Sequence, residues 1–255
     1  MRGKMKKYLC ITVLLFMVLI SQAGADQWTI ADNYIGGGYS PTYAQNGGDV
    51  ISLPSEINAF DIDNMIVSID SSGTVEVKIT TDYIDGTSGT RYGDLFISTD
   101  GWHPFGDSPY RDDVYGNGES WEFAFDTSLN SIYSIADVSI LTSNNFFSHL
   151  PSSYYRTNQE VQINSNGATP VSAGTSFTKD LLYLTYAFNL SDLGISLDQG
   201  YDLGFRWSMT CANDVIEGGV SSSPVPDPAT FLMMGMGLLG LSAAARKKKD
   251  KSGSI

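Results

Sequence analysis

Through residues 26–223 apolar and polar positions alternate in short runs. In residues 74–80, Val75, Val77 and Ile79 fall on one face and Glu76 and Lys78 on the other, the period of a half-buried strand. Residues 65–70 precede it across Ser71-Ser72-Gly73, a hairpin signal. Trp121, Phe123 and Phe125 alternate with Glu122, Ala124 and Asp126. Leu182, Leu184, Tyr186 and Phe188 share one face, and Phe205, Trp207 and Met209 share another, opposite Arg206 and Ser208. Shorter strands are expected at 28–31, 49–53, 94–99, 132–141 and 161–164, with Gly, Asn, Asp and Ser between them. Twelve-residue windows carry no helical stripe, and residues 191–196 read as a single turn. The pattern predicts an all-β domain over 26–220, an antiparallel β-sandwich of jelly-roll type.

Both ends break this pattern. Arg2, Lys4, Lys6 and Lys7 precede an apolar stretch at 8–20 and the small residues Ala23-Gly24-Ala25, the plan of a secretory signal peptide cleaved after Ala25. Residues 221–228 form a Ser/Pro linker containing Val225-Pro226-Asp227-Pro228. An uncharged run, 229–245, follows, and then the basic tail 246–255, which opens on Arg246-Lys247-Lys248-Lys249. Seventeen residues at about 1.5 Å each reach about 25 Å, enough to enter a bilayer core of about 30 Å with snorkelling at its end. One C-terminal transmembrane helix is expected, with the tail in the cytoplasm and the domain outside.

The order of Pro-rich motif, short apolar segment and basic stop resembles the PEP-CTERM sorting signal, with Asp227 where the family carries Glu. Residues 92–102, 121–126 and 207–218 are similar to blocks found in many PEP-CTERM ectodomains. The resemblance implies processing by signal peptidase and then by a membrane-embedded exosortase. It also implies a Gram-negative bacterium that makes exopolysaccharide, an inner-membrane-anchored intermediate, and delivery to the cell surface or extracellular matrix. It brings no catalytic residues.

Charge narrows the partners. The whole chain has 15 Lys+Arg and 28 Asp+Glu, yet residues 26–223 keep only six of the cations (Lys78, Arg91, Arg111, Arg156, Lys179, Arg206) against 26 acids. A net charge of about −20 argues against nucleic acid and anionic lipid. Cys211 is the one cysteine left after signal cleavage, reads as a small buried hydrophobe, and offers no intrachain disulfide.

Residues 100–119 lack any strand or helix period, and long irregular loops in compact domains are usually functional or disordered. Asp100, Asp107, Asp112, Asp113, Asn117 and Glu119 supply hard oxygen donors there, a candidate calcium site. Trp102, Tyr110 and Tyr115 are candidate glycan contacts, with Trp102 expected at the loop surface. Trp121 and Trp207 are expected in the core. Asp61-Ile62-Asp63-Asn64 lacks EF-hand spacing and reads as a solvated turn. His103 and His149 have no metal-ligand spacing, and there is no Gly-x-Ser-x-Gly elbow. The expected function is therefore non-enzymatic: an exported structural or adhesive surface protein that binds exopolysaccharide. The alternative is a secreted glycosidase or polysaccharide lyase using carboxylates such as Glu119, Glu122 and Glu160.

Overall fold

A computed structural model describes residues 25–38, 59–87, 89–151 and 154–223. The signal peptide, the strand expected at 49–53, the sorting motif, the transmembrane helix and the basic tail lie outside these residues. Among the described residues no helix is long and apolar enough to cross a membrane.

Twelve described strands build two five-stranded antiparallel sheets and a two-stranded ribbon. The first sheet contains β1 (Asp26–Ala31), β2 (Ile62–Ile69), β3 (Thr74–Thr81), β9 (Ser176–Lys179) and β10 (Tyr183–Asn189), in the order β1-β2-β3-β10-β9. The second contains β4 (Leu95–Ser98), β5 (Phe123–Asp126), β6 (Ser131–Ser134), β11 (Tyr201–Ser208) and β12 (Val215–Ser222), in the order β12-β11-β4-β5-β6. The ribbon pairs β7 (Ser139–Thr142) with β8 (Glu160–Asn164). These orders define an all-β antiparallel domain assembled from runs of consecutive neighbours.

Alternation decides the inner faces. Val75, Val77 and Ile79 of β3 and Leu184, Tyr186 and Phe188 of β10 are buried, and they meet Leu95, Ile97, Phe125, Leu203, Phe205 and Trp207 of the second sheet in one core. On β2 the buried set runs Ile62, Met65, Val67, Ile69, and the three-residue first step coincides with a bulge between Ile62 and Asn64. Gly73 takes φ 84° in the turn between β2 and β3, a conformation open to glycine at no steric cost. Across the core, Trp207 Nε1 donates to Tyr186 Oη at 2.8 Å, and that oxygen lies 3.2 Å from Thr127 Oγ1. The Phe125 ring stands edge-on to Tyr186, with centroids 5.1 Å apart.

The second sheet is covered on its outer face too. Phe96, Trp121, Ala124 and Tyr133 form a separate apolar cluster with Ile163 of β8, and Ile140 of β7 packs against it. Trp121 is buried, as expected, but on the opposite face from Phe125. Strand β5 starts only at Phe123, so the alternation read from Trp121 breaks at Glu122. Leu182 is likewise absent from the face of Leu184. It precedes β10 in a tight turn and is 60% exposed. The expected strand at 132–141 is two strands, β6 and β7, separated by a 3₁₀ turn at Ile135–Asp137. The turn expected at 191–196 is a 3₁₀ turn at Leu190–Leu193. Strand β9, the short helix α1 (Ser143–Phe147) and the reach of β12 into the expected linker have no counterpart in the sequence reading.

Tyr186→Phe should remove the acceptor of the buried Trp207 Nε1 and lower stability by about 1–3 kcal/mol without altering the fold. Urea unfolding should show a lower midpoint at unchanged slope.

Candidate functional site

Strand β11 is apolar on its inner face and carries Arg206 on its outer one, yet Arg206 is 1% exposed. Its cover comes from three distant pieces of chain: the segment at 33–38, the start of β8, and the loop that joins β4 to β5. That loop is tied down by its backbone. Ile35 N donates to Pro109 O at 3.0 Å, Gly37 N to Asp113 O at 2.6 Å, and Tyr115 N to Asn158 O at 2.9 Å.

Beneath this cover the Arg206 guanidinium is held on every side. Nη1 bonds Glu217 Oε1 of β12, Nη2 bonds Gln159 Oε1 and lies 3.6 Å from Glu160 Oε2, and Nε donates to Glu160 O at 3.2 Å. The Tyr34 ring lies 5.9 Å from its centre. Gln159 Nε2 in turn donates to Gly37 O at 3.1 Å and to Asp113 O at 3.0 Å. Burial alone would lower the Arg206 pKa, but the charges of Glu217 and Glu160 outweigh it and raise it. Burial pushes Glu160 up, against the opposing pull of Arg206. Asp113, 2% exposed, is pushed up to about 7, first by burial and then by the charge of Glu217.

Glu217 links this buried cluster to the surface. Its second oxygen, Oε2, accepts from Trp102 Nε1 at 3.1 Å. Tyr110 stands edge-on to Trp102 at 5.3 Å and stacks on Tyr34 at 5.9 Å. Trp102 therefore lies down against β12, half-buried, on a strand that must be narrow beneath it. A Cβ on Gly219 would fall 2.9 Å from Trp102 Cβ, and one on Gly218 would fall 2.5 Å from Ile30 Cγ2. The result is a groove of about 390 Å³ between β1 and β12, walled by Trp102, His103, Asp202, Glu217 and the glycine pair.

The loop residues expected to bind calcium are dispersed. Asp100 accepts from Ser98 Oγ at 2.7 Å, Glu119 accepts from the backbone N–H groups of His103 and Ser120, and Asp113 points inward. Asn117 bonds Val114 N and Asp112 O within the loop, and Asp107 and Asp112 are exposed. Of the expected glycan contacts, Trp102 and Tyr110 meet, while Tyr115 is 52% exposed and lines no part of the groove.

Three other carboxylates do converge. Oxygens of Asp32, Asp61 and Asp214 lie within 4.8 Å of one another, a set that could hold a metal ion. Asp61 was expected in a solvated turn; it instead immediately precedes β2, whose Ile62 N donates to Asp214 Oδ2 at 2.7 Å. Buried Arg156 is the neighbouring positive charge: burial lowers its pKa, and Asp214 and Asp32 oppose that. No spacing pattern could have found this set, because it joins three separate segments.

Residues 224–249 match the family model of the PEP-CTERM protein-sorting motif. The chain thus carries the sorting signal that its Val225–Pro228 sequence resembles. The motif marks an exosortase-targeted, exported protein that passes through a membrane-anchored sorting intermediate to the surface. Neither the curated proteins nor the solved structures contain a match to the chain.

Arg206→Met should strand two buried carboxylates and destabilise the domain by about 3–5 kcal/mol, partly recovered in Arg206→Met/Glu217→Leu. Calorimetric melting of the two variants checks this. Asp113, with its folded pKa of about 7 above the unfolded value of about 4, keeps its proton in the fold while the unfolded chain loses it. Stability should therefore fall as pH rises from about 4 to about 7 and level off above. Asp94, also raised to about 7 by burial, acts in the same direction. Asp113→Asn should make that slope shallower in denaturant titrations across this range.

Proposed function

We propose that the exported domain is a non-catalytic, glycan-binding component of the cell surface or extracellular matrix, and that the groove beside Trp102 is its contact with exopolysaccharide. The observation that carries this reading is the mounting of Trp102. Its indole is fixed by Glu217, Tyr110 and the narrow floor at Gly219, so one ring is presented at a groove without further ordering. A pre-positioned ring that stacks on the C–H face of a pyranose loses little entropy on binding.

The carboxylates of the domain support the non-enzymatic reading. Glycoside hydrolysis needs two of them facing one substrate. Glu217 has one oxygen on Arg206 and the other on Trp102, and is 2% exposed. Glu160 is buried against Arg206, Glu119 holds the backbone of His103, and Glu122 accepts from Thr99 N at 2.8 Å. Of the two carboxylates that line the groove, only Asp202 is exposed. The Cys211 thiol is buried and pushed up to about 12 by that burial, which leaves it almost wholly protonated at neutral pH.

Both membrane-directed ends of the domain meet at one pole. Tyr201 pairs with Ser222 at the end of β12, and its ring stands edge-on to Trp28 near the start of β1. The sorting motif begins at residue 224, directly beyond β12. An anchored molecule would hold the Tyr201 end toward the membrane and the groove along its flank.

The test uses the full chain in zwitterionic detergent, mixed with purified exopolysaccharide of the producing organism. Co-sedimentation and reducing ends are followed in the same tubes. Binding without new reducing ends is expected, weakened at least about tenfold in Trp102→Ala. Binding unaffected by Trp102→Ala would move the contact elsewhere. New reducing ends abolished by Glu122→Gln would make the protein an enzyme.

A further inference from the structure

Resting on that reading of the groove, we infer that its ligand is a saccharide chain bearing free amines rather than an acidic one, with Asp202 as the ammonium acceptor.

The first ground is the placement of positive charge. Of the six Lys/Arg side chains in residues 26–223, Arg156 and Arg206 are buried at 0% and 1% exposure. Two more, Lys78 and Lys179, pair with Glu76 and Asp85 on the first sheet. The groove is lined by Asp202 and Glu217 and by no lysine or arginine. Arg206 compensates Glu217 from below, so Asp202 is the exposed charge at the surface of the groove. A uronate or sulfate there would face the Asp202 carboxylate, with no lysine or arginine in the lining and only the His103 imidazole beside it. An ammonium group would find a carboxylate in reach.

The second ground is continuity. A second groove, of about 530 Å³, runs over Thr99, Gln199, Gly200, Tyr201 and Ser221–Ser223 and shares Asp202 and Ser221 with the first. The two together make a track along the β11–β12 edge, with Trp102 beside one part, hydroxyl and amide groups along the other, and Asp202 at the junction. A track of this kind fits a polymer laid lengthwise: a ring face on the indole, hydroxyls on Ser, Thr and Gln, and an amine at the centre.

The test compares three probes against the full chain in zwitterionic detergent by calorimetry: β-linked glucosamine oligomers, the same oligomers N-acetylated, and polygalacturonate, each in EDTA and in calcium. Glucosamine oligomers should bind tightest. Their affinity should fall about fivefold in Asp202→Asn, fall also in raised salt, and be the same in EDTA and calcium. An unchanged melting temperature of Asp202→Asn shows that the loss is local. Equal affinity for the acetylated oligomers, or no effect of Asp202→Asn, overturns the amine assignment while leaving the groove as a glycan site. Calcium-dependent polygalacturonate binding that is lost in Trp102→Ala also overturns it. Binding of no probe, or binding that Trp102→Ala leaves intact, overturns the glycan reading of the groove itself.

Discussion

The architecture around the groove depends on one buried cation. Arg206 is placed on the outer face of β11, the strand next to the sheet edge, where an antiparallel sandwich would ordinarily meet water. Removing a guanidinium from water is unfavourable unless its donors and charge are matched. The match comes from Glu217 on the neighbouring strand, from Glu160 at the start of the ribbon strand β8 and from Gln159 just before it. Those partners bring the covering layer with them, since Gln159 holds both the segment at 33–38 and the long loop. The loop is thus folded against the sheet by a polar anchor.

This anchor also explains the rigidity of the surface feature above it. Glu217 is fixed by Arg206 on one oxygen and fixes Trp102 with the other, so the position of a half-buried indole is set by a charge pair inside the domain. The glycine pair completes the arrangement by letting Trp102 and Ile30 approach the strand. A second polar chain, Trp207 to Tyr186 to Thr127, ties the two sheets together within an otherwise apolar core. In both cases a hydrogen-bonding group sits where apolar packing alone would allow several arrangements, and its partners single out one.

Much of the fold is visible in local pattern. The strands at 62–69, 74–81 and 183–189 follow from alternation because each has one buried face, and the turn at Gly73 from the residues between two such runs. Alternation assigns the wrong face to residues that stand just ahead of a strand, as at Trp121 and Leu182. A residue just outside a strand is not bound to the period of the strand. It misses β9, whose four residues are mostly exposed and carry one large apolar side chain. Trp102 and Tyr110 are legible as a pair of loop aromatics. The acids expected beside them as a calcium site are spread over separate contacts, because a loop pinned by its backbone cannot gather side chains freely.

By itself the sequence determined what is linear: the sorting motif at 224–249, the strand periods, the strongly acidic balance and Cys211 as the single cysteine of residues 26–223. These need no knowledge of neighbours, since a processing enzyme reads contiguous residues and a half-buried strand repeats every two. Tertiary structure decided the rest. Arg206 and Ser208 look solvent-facing in an alternating strand and are buried, because alternation assigns a residue to one of two faces without saying whether that face is covered. The cover, the groove and the convergence of Asp32, Asp61 and Asp214 all join segments far apart in the chain, and only folding brings them within contact distance.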